Sequence, residues 1–479
     1  MKSDCCCCDK CCTTWHEHYE IPSAILVKST FRSPILPLAA RRLLIRPIPA
    51  TVIKATVIKW LSLFPCFALI TNAGAQEASH GDSGEYVDLG AQAIGVATRV
   101  NPGLQGRALT EGYLTQPAIM LHAGAFDGVL ALTATVNLEG STLKRGELTP
   151  GIYGEGYIDR RHPHTYLHEL VASAKGGIGD ASVSLSAGKG FAPFGTDDPM
   201  ARPFVKYPVN HHLAQVLERA VAIGAVRAGG AVIELGSFNG DEPQSPGDVP
   251  NRDRYWDSWS GRVTLLPFQQ AELQTSYARV KSPENATGGG SDQRKQSASI
   301  RLEDAQQSGY ALAEWARTGE YVGNTRNFSF TSWLLETEAR IEFLRAGLRF
   351  ERTERPDEER LQNAFRAPVP GTDLSILGRS RWTTLTARIS GPISRAQSLF
   401  LEPFLEVAQA RVSPTLRPAG FDPRQFYGAS TIWSLSAGAK LSFDMRHMRM
   451  GRYGAATTEQ RGMMMKMKDG GMDMTHSHH

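Results

Sequence analysis

Residues 432–443 read IWSLSAGAKLSF. Ala437, Ala439, Leu441 and Phe443 share one parity, and Ser436, Gly438, Lys440 and Ser442 share the other. Strand side chains point to opposite faces with period two. One face here is apolar and the other is small or polar, as in a strand with lipid on one side and water on the other. The stretch therefore predicts the closing strand of a transmembrane β-barrel.

Working outward, the mature chain contains sixteen amphipathic segments: 86–99, 113–124, 128–138, 166–175, 180–189, 214–227, 231–238, 257–266, 270–280, 294–302, 309–318, 327–338, 341–352, 379–390, 398–411 and 431–443. None holds an apolar run long enough for a membrane-spanning helix. The segment 214–227 is the least clear, because AVAIGAV also suits a buried helix. Connections alternate in length. Phe126-Asp127, Gly176 to Gly179, Gly229-Gly230, Pro267 to Gln269, Asp304 to Gln307 and Gly391 to Arg395 are short, whereas 139–165, 190–213, 239–256, 281–293, 353–378 and 412–430 are long. Short periplasmic turns, long extracellular loops and an even strand number characterise outer-membrane barrels, and barrels of this size enclose water. The expectation is an all-β, sixteen-stranded antiparallel barrel over 76–443, in contact with outer-membrane lipids and inserted by a barrel-assembly machinery.

The front of the chain sets the compartment. Trp60 to Ile70 is apolar but too short to span, Lys54 and Lys59 precede it, and Ala73-Gly74-Ala75 follows. This pattern predicts a signal peptide over 51–75, cleaved after Ala75 and directing export to the outer membrane of a Gram-negative cell. Residues 1–50, with Cys5 to Cys8, Cys11 and Cys12, read either as a misassigned start or non-functional extension, or as a metal-binding knot. All seven Cys precede Gln76, so the mature chain has no disulfide. Removing residues 1–75 takes nine of the 52 basic and four of the 48 acidic residues, leaving 43 against 44. That balance gives no support for nucleic-acid binding.

Parity assigns the charged residues. Arg262, Arg301, Arg345, Arg349, Arg388, Glu234, Glu314, Glu402 and Glu406 fall on the polar face and are expected to line the pore. They could set a transverse field that selects solutes, or pair and stiffen the wall. In 344–350, Leu344, Ala346, Leu348 and Phe350 should face lipid.

The long loop that follows segment 180–189, 190–213, is rich in Gly, Pro and aromatic residues, which predicts a folded loop. Here Gly188 to Gly195 (GKGFAPFG), Glu218-Arg219 and Ser237-Phe238-Asn239-Gly240 resemble the phosphate-selective porin family and related outer-membrane porins. The resemblance implies a sixteen-stranded channel with a loop folded inward as a constriction, and a homotrimer. The lumen charges are of mixed sign, unlike that family's basic anion path, so phosphate selectivity is not implied.

Two groups could bind metal. Loop residues His162, His164, His168, His211 and His212 form His-x-His and His-His pairs, which suit a shared ion but equally suit packing against carboxylates such as Asp159 or Glu218. After Phe443, residues 444–479 hold nine of the twelve Met. With an even strand count this tail is expected in the periplasm. Met463, Met464, Met465, Met467, Met472, Met474, His476, His478 and His479 there offer thioether and imidazole ligands for copper. Ser237, His211 and Asn239 lie in no catalytic motif, so an enzyme is not expected. Passive diffusion of small hydrophilic solutes through a water-filled barrel, with no cofactor required, is the leading expectation. A copper-handling barrel is the alternative.

Overall fold

The computed structural model describes residues 85–103, 106–143, 147–148, 160–161, 164–196, 198–243, 245–303, 309–358, 376–391, 393–396, 399–416, 422–443 and 449–457. The expected leader, His162, and the Met/His-rich residues 463–479 lie outside them.

Sixteen strands form one sheet: β1 Tyr86–Asn101, β2 Leu109–Ala125, β3 Leu130–Asn137, β4 Leu167–Ile178, β5 Ala181–Gly190, β6 Arg219–Ala228, β7 Ala231–Phe238, β8 Ser258–Phe268, β9 Ala271–Val280, β10 Asp292–Glu303, β11 Gly309–Val322, β12 Thr325–Ile341, β13 Leu344–Glu358, β14 Ile376–Ser390, β15 Leu399–Leu416 and β16 Thr431–Phe443. Each pairs antiparallel with its chain neighbours, and a short piece, Ser394–Ala396, extends the β14 side along β15. The ring closes where β16 returns to β1, from Ala91 opposite Phe443 to Asn101 opposite Trp433. Closure satisfies every strand's hydrogen-bonding edge, as a lipid environment demands. No helix among the described residues is long and apolar enough to cross a membrane; α1 Glu139–Thr142, α2 His211–Ala214 and α3 Pro423–Tyr427 are single turns in loops.

The parity reading holds along the wall. On β12 and β13, Trp333, Leu335, Leu348 and Phe350 are exposed outward, while Glu336, Arg349 and Glu351 are buried inward. Trp333 is 56 % exposed near the middle of its strand. Trp333→Arg is therefore expected to destabilise the folded protein by about 2–4 kcal/mol, the cost of a basic side chain on the lipid face near midplane. Urea unfolding in lipid vesicles would register it as a lower midpoint.

Connections alternate between the two ends of the barrel, with one departure. At the end carrying the long loops, β11 and β12 are joined only by Gly323-Asn324. At the other end, Phe126 and Asp127 both take positive φ in the β2–β3 turn, the twist that a tight hairpin favours. The doubtful segment resolves as strand β6, and its first residues belong to the loop before it.

That loop, 191–218, folds into the lumen. Phe191, Phe194, Met200, Phe204, Tyr207, Val209 and Leu213 are all buried there. Gly195 has φ +75°, and a Cβ on it would stand 1.7 Å from the Ala214 carbonyl oxygen, so only glycine lets the loop double back so tightly. Of the tail expected in the periplasm, residues 449–457 are described, and they lie inside the barrel: Tyr453, Ala455 and Ala456 are buried among inward residues of β4 to β9. The polar lumen wall gives this segment hydrogen-bond partners that open solvent would otherwise supply.

Candidate functional site

The lumen is the one place where the described chain gathers buried charge on a large scale. Its wall pairs charges between neighbouring strands. Glu234 on β7 and Arg262 on β8 sit opposite in register and meet through two contacts of 2.6 and 2.7 Å, a bidentate pair. Glu336 and Arg349, opposite on β12 and β13, meet at 3.2 Å. Arg388 reaches Glu338 at 2.9 Å and Glu402 at 3.2 Å, and Arg345 reaches Glu338 at 3.0 Å. Arg301 binds Glu303 at 2.5 Å and lies over the Tyr310 ring. These contacts run along the wall, not across the lumen.

Three further wall carboxylates, Glu314, Glu351 and Glu406, hold the inserted loop. Glu314 takes Arg202 at 3.3 Å, Asn210 at 2.7 Å and the Thr196 hydroxyl. The backbone N–H of Val205 donates to Glu406 and that of Val209 to Glu351, at 3.3 and 2.6 Å. Arg349 also donates to the Lys206 carbonyl and lies over the Phe204 ring. Lys206 meets Glu147 at 3.2 Å. Burial works against its ammonium, but Glu147 and then Tyr113 outweigh that and lift its pKa above the ordinary lysine value. Each of the nine charged residues read as inward from the sequence lies on the inner face with a partner. Arg202, Lys206, Glu272, Glu336 and Glu338 were not singled out. The three strand glutamates alternate with exposed apolar residues such as Leu273 and Leu335, so parity could have found them.

The tail is held as firmly. Arg262 donates to the Gly451 carbonyl at 2.7 Å. Arg452 reaches Thr264, Glu272 and Gln274 at 2.9, 2.7 and 2.6 Å. Arg449 binds Glu272 at 2.8 Å. The Tyr453 hydroxyl donates to Glu169 at 2.7 Å and accepts from the Phe191 N–H at 3.0 Å, which joins tail, wall and loop at one point.

Of the histidines, the structure brings His164 and His168 together, with ring centroids 4.7 Å apart, and His211 lies 5.7 Å from His164. His212 faces Glu242 instead, at 3.9 Å. Ser237 donates to the Ser258 carbonyl, and Asn239 ties Ala220 to Asp241 beside the β6–β7 pair.

No family model matches the chain, and no curated protein does. Among solved structures, an anion-selective porin from Comamonas acidovorans aligns at 11 % identity and TM-score 0.44, covering 75 % of this chain and all of that one. Salmonella typhi OmpF, in a complex with daunomycin, aligns at 9 % identity and TM-score 0.43, over 76 % of this chain and 99 % of that one. Pseudomonas aeruginosa OpdO aligns at 11 % identity and TM-score 0.34, over 74 % and 96 %. The strand order and the β1–β16 register carry the assignment by themselves: the chain has the closed, sixteen-stranded antiparallel barrel fold of outer-membrane porins.

Proposed function

We propose that the protein is a passive channel of a Gram-negative outer membrane for small hydrophilic solutes, with its lumen occupied by the 191–218 loop and by residues 449–457. The observation that carries this reading is the chemistry of the inner wall. Ser260, Ser297, Thr318 and Thr384 present buried hydroxyls with no protein hydrogen-bond partner. A barrel interior meant only as packing would not keep such groups, because an unsatisfied buried hydroxyl is costly. Water would satisfy them, so the wall suits a hydrated lumen. Loop and tail are attached to that wall by apolar packing and also by polar contacts and ion pairs, and water can replace the latter.

The test is solute flux into liposomes carrying the refolded mature protein. Swelling in isotonic solutions of small sugars or amino acids, but not of large dextrans, is expected. A folded barrel that admits no small solute, with or without residues 444–479, would defeat the reading.

A further inference from the structure

At the long-loop end of the lumen lies a cluster that conduction does not need. His164, His168 and Asp198 are all buried, and one potential ligand atom from each lies within 4.8 Å of the others. We propose that these three residues bind one divalent first-row transition-metal ion, with Zn²⁺ as its representative. This goes beyond the channel reading and does not depend on it.

Four observations converge. First, both imidazoles are already oriented by carboxylates through Nδ1: His164 by Glu139 at 3.0 Å and His168 by Glu218 at 2.7 Å. A carboxylate on one ring nitrogen fixes the tautomer, makes the other nitrogen more basic and aims it, which is the usual outer support of a metal-bound histidine. Second, two atoms that face one another here are left without a hydrogen bond. His168 Nε2 and Asp198 Oδ2 are buried and make no hydrogen bond, and they stand 3.9 Å apart. Zinc bonds to N and O of about 2.0–2.2 Å set tetrahedral ligand atoms roughly 3.3–3.6 Å apart, so a small inward movement closes the set.

Third, the backbone is shaped to deliver these groups. The β3–β4 register slips between Thr135 and Val136, leaving His168 as an extra residue, so that both His168 and its neighbour Glu169 are buried inward. Such bulges re-aim side chains at functional positions. Glu218 holds φ at +58°, a strained value for a non-glycine residue that its surroundings must maintain. Fourth, the local charge suits a dication. Glu139, Glu169, Asp198 and Glu218 gather around the two imidazoles, while Lys189 is hydrogen-bonded to Thr165 on the Glu218 side and Arg202 is engaged by Glu314. Two imidazoles and one carboxylate form a donor set for a borderline ion such as Zn²⁺, and they leave room for a water ligand.

The experiment is zinc titration of the chelator-stripped, refolded mature protein by calorimetry, with Co²⁺ absorption reporting geometry. The informative variant is Asp198→Asn. Its Oδ1 can still accept from the Met200 N–H, a 2.7 Å bond in the structure, while the second oxygen is replaced by an amide that does not ligate. We expect one equivalent of Zn²⁺ to bind, at least about 100-fold weaker binding in Asp198→Asn and His168→Ala, and weakening of about 10–100-fold in Glu218→Gln. His212→Ala should bind normally. Gel mobility before and after heating verifies that each variant is folded. A folded protein that takes up no zinc overturns the proposal, as does an Asp198→Asn variant that binds as the parent does.

Discussion

Deleting residues 444–479 is expected to raise the single-channel conductance of the refolded barrel about tenfold, since barrels of this strand number otherwise enclose a water-filled passage. The truncation removes no strand: β16 ends at Phe443, and both its ladders are complete without the tail. It removes the segment that fills the lumen along β4 to β9, including Arg452, whose guanidinium is buried among Thr264, Glu272 and Gln274. The 191–218 loop stays, so the truncated channel should remain narrower than an empty ring. Planar-bilayer recordings at matched insertion density measure the change. Equal conductance in the two proteins would mean that the tail does not obstruct the path.

The second large effect concerns stability. Arg262→Ala should cost about 3–5 kcal/mol, the usual penalty for removing one member of a buried ion pair and leaving its counterpart without compensation. Arg262 is bidentate to Glu234 and also ties down the Gly451 and Gly195 carbonyls, so wall, tail and loop loosen together. Arg452 Nη1, 3.7 Å from Glu234, is a poor substitute. Arg345→Ala is the contrast. That side chain is 28 % exposed, and its single contact with Glu338 should be worth less than about 1 kcal/mol. Urea unfolding of both variants in the same vesicles separates them. Similar midpoints would show that the Arg262 cluster is hydrated and weak.

The strands were legible because each faces two solvents, and period-two alternation records that directly in sequence. The bounds of β7 and β16 agree with their sequence segments. Segment 214–227 was harder because Ala220, Val221, Ala222 and Ile223 are apolar at both parities. The inner residues there face the buried loop, not water, as the cluster of Val221 and Ile223 with Phe194 shows. Loop length alone would have placed Gly323-Asn324 at the wrong end.

The candidate sites divide the same way. Arg262 and Glu234 could be read as inward because parity is local. That Arg452 would join them could not, because nothing in a segment beyond the closing strand signals return to a wall 180 residues earlier. The histidines were visible, and Glu218 was an evident partner. Asp198 was not, since it lies on the inserted loop and reaches His168 only through the fold. The resemblance motifs have ordinary structural work: Asn239 bridges to Ala220 at 2.6 Å, and Glu218 braces Thr165 and His168.

A hoop bent from a single ribbon is most prone to part where its two ends meet, and here that join is the pairing of β1 with β16. The chain does not stop there. Residues 449–457 lie within the bore, with Gly451 and Arg452 tied to β8 and β9 on the far side and Tyr453 tied to β4. To unzip the join, β16 would have to swing away and drag this drawstring out of its anchorage, so the seam is guarded by contacts half a circumference away.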